Sequence, residues 1–124
     1  MEIIINNSSQ VPLYEQIQSQ IKSQILSFSI KPGEMLPSIR MLAKELKVSI
    51  ITTKRAYEEL EKEGFITTVA GKGTFVTEST NERVRELAIY EIENKLEDAI
   101  IASKAIGLTF EEMIEILKNL YEET

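Results

Sequence analysis

The sequence of 124 residues contains no cysteine, no histidine and no tryptophan. Without cysteine there is neither a disulfide nor a thiolate nucleophile, and without histidine no imidazole-based catalytic dyad. The same two absences remove the usual zinc ligands, so no metal site and no cofactor is expected. Aromatic residues make up 6% of the chain, too few for the stacking platforms that hold single-stranded nucleic acid. Only 5 glycines and 3 prolines occur, which excludes collagen-like and Pro/Gly-rich disordered classes. No run approaches the roughly 20 apolar residues of a membrane helix. The Ile3-Ile4-Ile5 stretch, with no basic region before it, is too short for a secretory signal. A soluble, cytoplasmic protein without catalytic activity is expected, its Glu-rich stretches being solvated helix faces rather than paired general acids.

What is present is enough for one compact domain or a small domain with an appendage: 43% of the residues are hydrophobic and 27% charged. The formal net charge is −6, but it is unevenly spread. Residues 1–78 carry nine basic and nine acidic groups and balance, while residues 79–124 carry five basic and eleven acidic ones and hold the whole excess. Within residues 36–76 there are seven basic groups against five acidic ones. Binding of a polyanion depends on such a local patch and not on the charge of the whole chain.

Helical periodicity begins at Pro12, which suits the first position of a helix. Leu13, Ile17, Ile21 and Ile25 recur every four residues, and Phe28 is expected to close that apolar stripe, with the intervening Gln, Ser and Lys residues facing water. Before it, Ile3-Ile4-Ile5 reads as a short edge strand or as an arm packed on the body. Lys31-Pro32-Gly33-Glu34 forms a turn. A short second helix follows with Ser38 as N-cap and Ile39, Leu42, Ala43 and Leu46 on one face. After the tight connection Lys47-Val48-Ser49, the third helix runs from about Ile50 to Glu63, with Thr53 (or Thr52), Ala56, Tyr57 and Leu60 inward and Gly64 as its C-terminal glycine. Phe65–Val69 and Gly73–Val76, joined by Ala70-Gly71-Lys72-Gly73, predict a β-hairpin. A polar joint over residues 77–81 leads to a long helix ending near Gly107. A last helix is capped by Thr109 with Glu112 three residues later.

The order helix, short helix, tight turn, longer helix, hairpin is that of a winged helix-turn-helix. In that arrangement the short helix braces the longer one so that its N-terminal end enters a DNA major groove. The hairpin loop then reaches the adjacent backbone, where small Gly71 and Gly73 allow close approach and Lys72 supplies a cation. The predicted class is therefore α+β, mostly α: a winged helix-turn-helix over residues 1–77 and two further helices over residues 78–124.

Several spaced motifs carry a resemblance. Leu36-Pro37-Ser38-Ile39-Arg40-x-Leu42-Ala43, Val48-Ser49, Thr52-x-Lys54-Arg55-Ala56-Tyr57-x-x-Leu60-Glu61-x-Glu63-Gly64-Phe65-Ile66 and Gly71-x-Gly73-Thr74-Phe75-Val76 resemble the GntR-type bacterial transcription regulators over residues 10–77. Larger members of that family add a ligand-sensing domain. The short segment after Thr77 resembles the small YtrA-type branch, in which two C-terminal helices serve to dimerise. The resemblance implies a homodimeric repressor binding a palindromic double-stranded operator, often of a transporter operon, with a small-molecule effector left open. It implies Arg40 at the DNA, contacting phosphate or a guanine edge, and Gly71 and Lys72 in the wing.

At the start of the recognition helix stand Ser49, Ile50, Ile51, Thr52 and Lys54. The two hydroxyls suit phosphates or bases and Lys54 suits a phosphate. Ser38 is a cap that can also donate to a phosphate. Ile50 and Ile51 depart from many family members, which carry arginine or asparagine there. One of the pair is expected to meet thymine methyls and the other to turn into the core. Arg55 either contacts DNA or pairs with Glu58 or Glu59, and Tyr57 is expected in the core. For the C-terminal helices, Leu87, Ile92, Leu96, Ile100, Phe110, Met113, Ile114, Leu117 and Leu120 form apolar faces with little of their own to bury against, as a dimer interface requires. The rival reading is a winged helix used as a protein-interaction module, its basic residues ordinary surface.

Overall fold

The computed structural model describes residues 1–78 and 82–124, with Arg83 described by its backbone alone. Of the polar joint expected at 77–81, residues 79–81 thus lie outside the described residues. The elements run α1 (Leu13–Leu26), α2 (Ile39–Leu46), α3 (Ile50–Lys62), β1 (Ile66–Val69), β2 (Gly73–Val76), α4 (Glu82–Ala105) and α5 (Phe110–Glu123). Internal contacts divide the chain into one unit over Met1–Glu86 and another over Leu87–Thr124.

In the first unit α1 and α2 both pack on α3. The predicted apolar faces converge on a core of Ile17, Ile21, Ile25, Leu36, Leu42, Ala43, Ala56, Tyr57, Leu60, Phe65, Ile66 and Val76, with Thr53 buried among them. Gln18 donates to Glu63 at 2.9 Å and Lys22 pairs with the same carboxylate at 3.3 Å, fastening α1 to the end of α3. Strands β1 and β2 are antiparallel, pairing Ile66 with Val76 and Val69 with Gly73. The far edge of β2 is also occupied: Leu36 N–H donates to Thr74 O at 2.8 Å, and Val76 N–H to Glu34 O at 2.9 Å. The wing is thereby braced on both sides.

Three local expectations are corrected. Pro12 is the N-cap of α1 and not its first helical residue, because its ψ of 145° is extended. Phe28 does not close the apolar stripe. The helix ends at Leu26, Phe28 takes a left-handed φ of 60° and is 63% exposed. Ile30 folds back in its place, its N–H on Gln24 O at 3.1 Å and its side chain buried. Finally, the glutamines of α1 are more than a wet face. Gln20 donates to and accepts from the backbone of Ile4, Gln16 does the same for Asn6, and Gln24 donates to Glu2 O. Four helical residues rise about 6.0 Å and two extended residues about 6.6 Å, so glutamines four apart match alternate residues of an extended chain. The segment around Ile3-Ile4-Ile5 is accordingly an arm held by side-chain amides, not a sheet strand.

In the second unit, Leu108 N–H bonds Ser103 O at 2.9 Å as the chain turns through Gly107, whose φ of 75° favours glycine. Thr109 and Glu112 then form the expected capping box, with both reciprocal bonds made. No residue of α5 is buried.

Candidate nucleic-acid interface

Each piece of the predicted interface is tied to α3. Ser38 caps α2 by accepting from Met41 N–H at 3.1 Å, which leaves its own hydroxyl proton free. Lys47, at the C-cap of α2, adopts φ 57° and ψ 43°, the sharp left-handed corner that turns the chain toward Ser49. Tyr57 reaches back from α3 and donates to Pro37 O at 2.7 Å, fixing the turn that precedes α2. On the other side Thr68 N–H of β1 donates to the Glu61 carboxylate at 3.0 Å, which sets the wing against α3.

Burial first, and the charge of Glu45 second, raise the pKa of the Tyr57 hydroxyl well above its ordinary value. The unfolded chain therefore loses this proton first as pH passes about 10, and stability falls from there by up to about 1.4 kcal/mol per pH unit. Tyr57→Phe is expected to flatten that decline, measured by urea unfolding between pH 9 and 11.

At the tip of α3, Ser49 accepts from Thr52 N–H at 3.0 Å and donates its hydroxyl proton to Thr52 Oγ1 at 2.8 Å. The Ser49 proton is thus engaged, and Thr52 keeps the free one. Thr53 turns inward and donates to Ser49 O at 3.2 Å. Ile50 is 45% and Ile51 80% exposed, so the expectation that one of them enters the core is overturned. The helical period accounts for Ile51, which lies about 200° from Thr53 on the inward face of Thr53, Ala56, Tyr57 and Leu60. Ile50 shares the side of Thr53 but is the first residue of α3 and stays part-exposed there. Fully burying such a side chain is worth about 1.5–3 kcal/mol, which here goes unused.

The cations divide into three kinds. Arg40 on α2 and Lys72 in the wing turn are exposed, and among the described residues neither makes an ion pair within 4.0 Å. Lys54 reaches Glu58 at 3.9 Å with both side chains mostly exposed, a contact worth little in water. Arg55 pairs with neither Glu58 nor Glu59. Its guanidinium instead lies over the Tyr14 ring of α1, 3.9 Å from the ring centroid. Gly71 has a φ of 75°, and a side chain added there would meet nothing within 4 Å, so the wing tip is open as well as left-handed. The contact of Tyr14 is not legible in the sequence because its partner Arg55 is distant along the chain, and Glu61, though part of the quoted motif, gives no sign there of its bond to Thr68 N–H.

Among the described residues no helix is long and apolar enough to cross a membrane, and no cluster of acidic residues could hold a metal ion. In the second unit Leu96, Ile100, Phe110, Met113, Ile114, Leu117 and Leu120 of α4 and α5 line one groove of about 380 Å³. Leu87 and Ile92 are not among its lining residues.

The family model for bacterial regulatory proteins of the gntR family matches residues 13–76. The HTH-type transcriptional repressor YtrA of Bacillus subtilis (strain 168) is 36% identical over 118 residues, covering 95% of this chain and 91% of the relative. YtrA from Sulfolobus acidocaldarius, a GntR-family transcription factor, superposes with a TM-score of 0.58 at 34% identity over 98% of each chain. A structure of AraR(DBD) in complex with operator ORX1 superposes with a TM-score of 0.55 at 29% identity, over 62% of this chain and 96% of that one. The chain therefore belongs to the gntR family of bacterial regulatory proteins, as a winged helix-turn-helix transcription regulator and not an enzyme.

Proposed function

We propose that this chain acts in the cytoplasm as a homodimeric repressor of a palindromic double-stranded operator, reading DNA with residues 1–77 and dimerising through residues 78–124. The observation that carries it is the tip of α3, where Ile50 and Ile51 stand exposed and half-buried Thr52 keeps its own hydroxyl proton, on a helix whose other face is packed. Two isoleucines there suit thymine methyls, and Thr52 suits a base edge or a phosphate. Exposed Arg40 and Lys72, without an ion pair among the described residues, suit a guanine edge and a backbone phosphate, with Lys54 and Ser38 as further phosphate donors. Support for repression comes from relatives named as repressors, and support for the operator from the likeness to an operator-bound domain.

Arg40→Ala and Lys72→Ala test the assignment. Each is expected to weaken operator binding about tenfold or more. Lys72→Ala should also lower the slope of log affinity against log salt by about one. Unchanged affinity and slope in both variants would remove these two residues from the interface.

A further inference from the structure

We infer that Tyr14 is a positioning residue for DNA binding: it holds the Arg55 guanidinium flat, so that the edge of Arg55 grips a backbone phosphate. This rests on the DNA-binding function proposed above. The guanidinium carbon stands over the Tyr14 ring, 3.9 Å from its centroid. Arginine stacks on aromatic rings through the face of the guanidinium, which leaves the N–H donors in its plane open to a ligand. Among the described residues those donors make no ion pair with a carboxylate within 4.0 Å. The nearest acid in sequence to Tyr14 is engaged otherwise, because the Tyr14 hydroxyl donates to Glu15 Oε1 at 3.1 Å.

Arg55 lies one turn beyond Ile51 and three residues beyond Thr52, on the same side of α3. All three line a single open recess with Pro12, Leu13 and Tyr14. The guanidinium over the ring therefore borders Ile51 and Thr52 at the tip of α3. A phosphate is the fitting ligand for it. Base edges are reached from the first residues of a recognition helix, while Arg55 sits in its second turn, braced against α1. A planar fork of donors matches two phosphate oxygens. Held by the ring, it loses less rotamer freedom on binding.

A phosphate contact is independent of sequence, so the probe is a 30-base-pair duplex of mixed sequence, with binding followed from low to moderate salt. Arg55→Ala is expected to weaken binding about tenfold and to lower the salt slope by about one. Tyr14→Leu should weaken it about two- to fivefold at an unchanged slope, since the charge stays while its orientation is lost. Tyr14→Phe keeps the ring and should bind as the parent does. Tyr14→Leu should add nothing in an Arg55→Ala background. Arg55→Lys, a surface change that leaves packing intact, should keep the slope and lose affinity. An unchanged slope in Arg55→Ala, or full additivity of the two substitutions, overturns the inference. If Arg40→Ala and Lys72→Ala weaken binding when Arg55→Ala does not, only this inference fails. If the parent protein does not bind at low salt, the DNA-binding function fails with it.

Discussion

Leu117→Asp is expected to yield a monomer at micromolar concentration and to weaken operator binding by about a hundredfold or more. Leu117 lines the apolar groove between α4 and α5, is 46% exposed, and belongs to a helix none of whose residues is buried. In the proposed dimer this exposed apolar face is the interface, and a twofold interface presents the same patch twice. An aspartate placed in it introduces two charges, each costing several kcal/mol if buried without a partner. Loss of the dimer removes the second half-site from the reach of the first, and with it the gain of linked binding. Sedimentation velocity and an operator titration measure the two effects. A variant that remains dimeric at 10 µM would place the interface elsewhere, and Leu96→Asp, in the same groove on α4, separates a misplaced residue from a misplaced groove.

The second large effect falls on stability. Phe65 is fully buried between the end of α3 and β1. Lys22 stands over its ring at 5.3 Å, and its N–H bonds Leu60 O at 2.9 Å. Phe65→Ala is expected to cost about 3–5 kcal/mol through lost burial and the cavity left behind. A domain of this size has about 5–15 kcal/mol in all, so the melting temperature should drop by about 15 °C or more. Phe28→Ser is the contrasting substitution. Phe28 is exposed at a left-handed position, and its replacement should change stability by no more than about 0.5 kcal/mol. Calorimetry of the two variants checks both values. A Phe28 variant as damaged as the Phe65 one would contradict the placement of Ile30 in the core.

The contrast between these two phenylalanines shows how far the sequence carries. Ser38, Ser49 and Thr109 announce three helix starts, because a cap acts within one turn and needs nothing distant. Gly64 and Gly71 likewise mark a helix end and the wing turn through their own backbone preferences. The spacing of Ile17, Ile21 and Ile25 fixes one apolar face without knowledge of what covers it. Phe28 was misplaced because periodicity cannot say where a helix stops, and one left-handed residue hands its place to Ile30. The arm and its glutamines depend on bonds between residues 16 apart, such as Ile4 with Gln20. At the candidate site the types and positions of Arg40, Thr52, Lys54 and Lys72 were legible, and so was the core role of Tyr57. What Arg55 touches was not, since its partner is on another helix. Helix phase relative to Thr53 turns Ile51 outward, whereas Ile50 has the inward phase and is exposed as the first residue of α3, which phase does not foretell.

Selection of binding sites from a random duplex pool, with bound fraction followed across a salt series, tests the central claim most directly. A palindrome is expected whose half-sites lie about one helical turn apart, roughly 34 Å, bound with an affinity that falls steeply as salt rises. Enrichment of no sequence, with negligible binding at low salt even when candidate ligands are added, would contradict it. The winged helix would then be an interaction module for another protein.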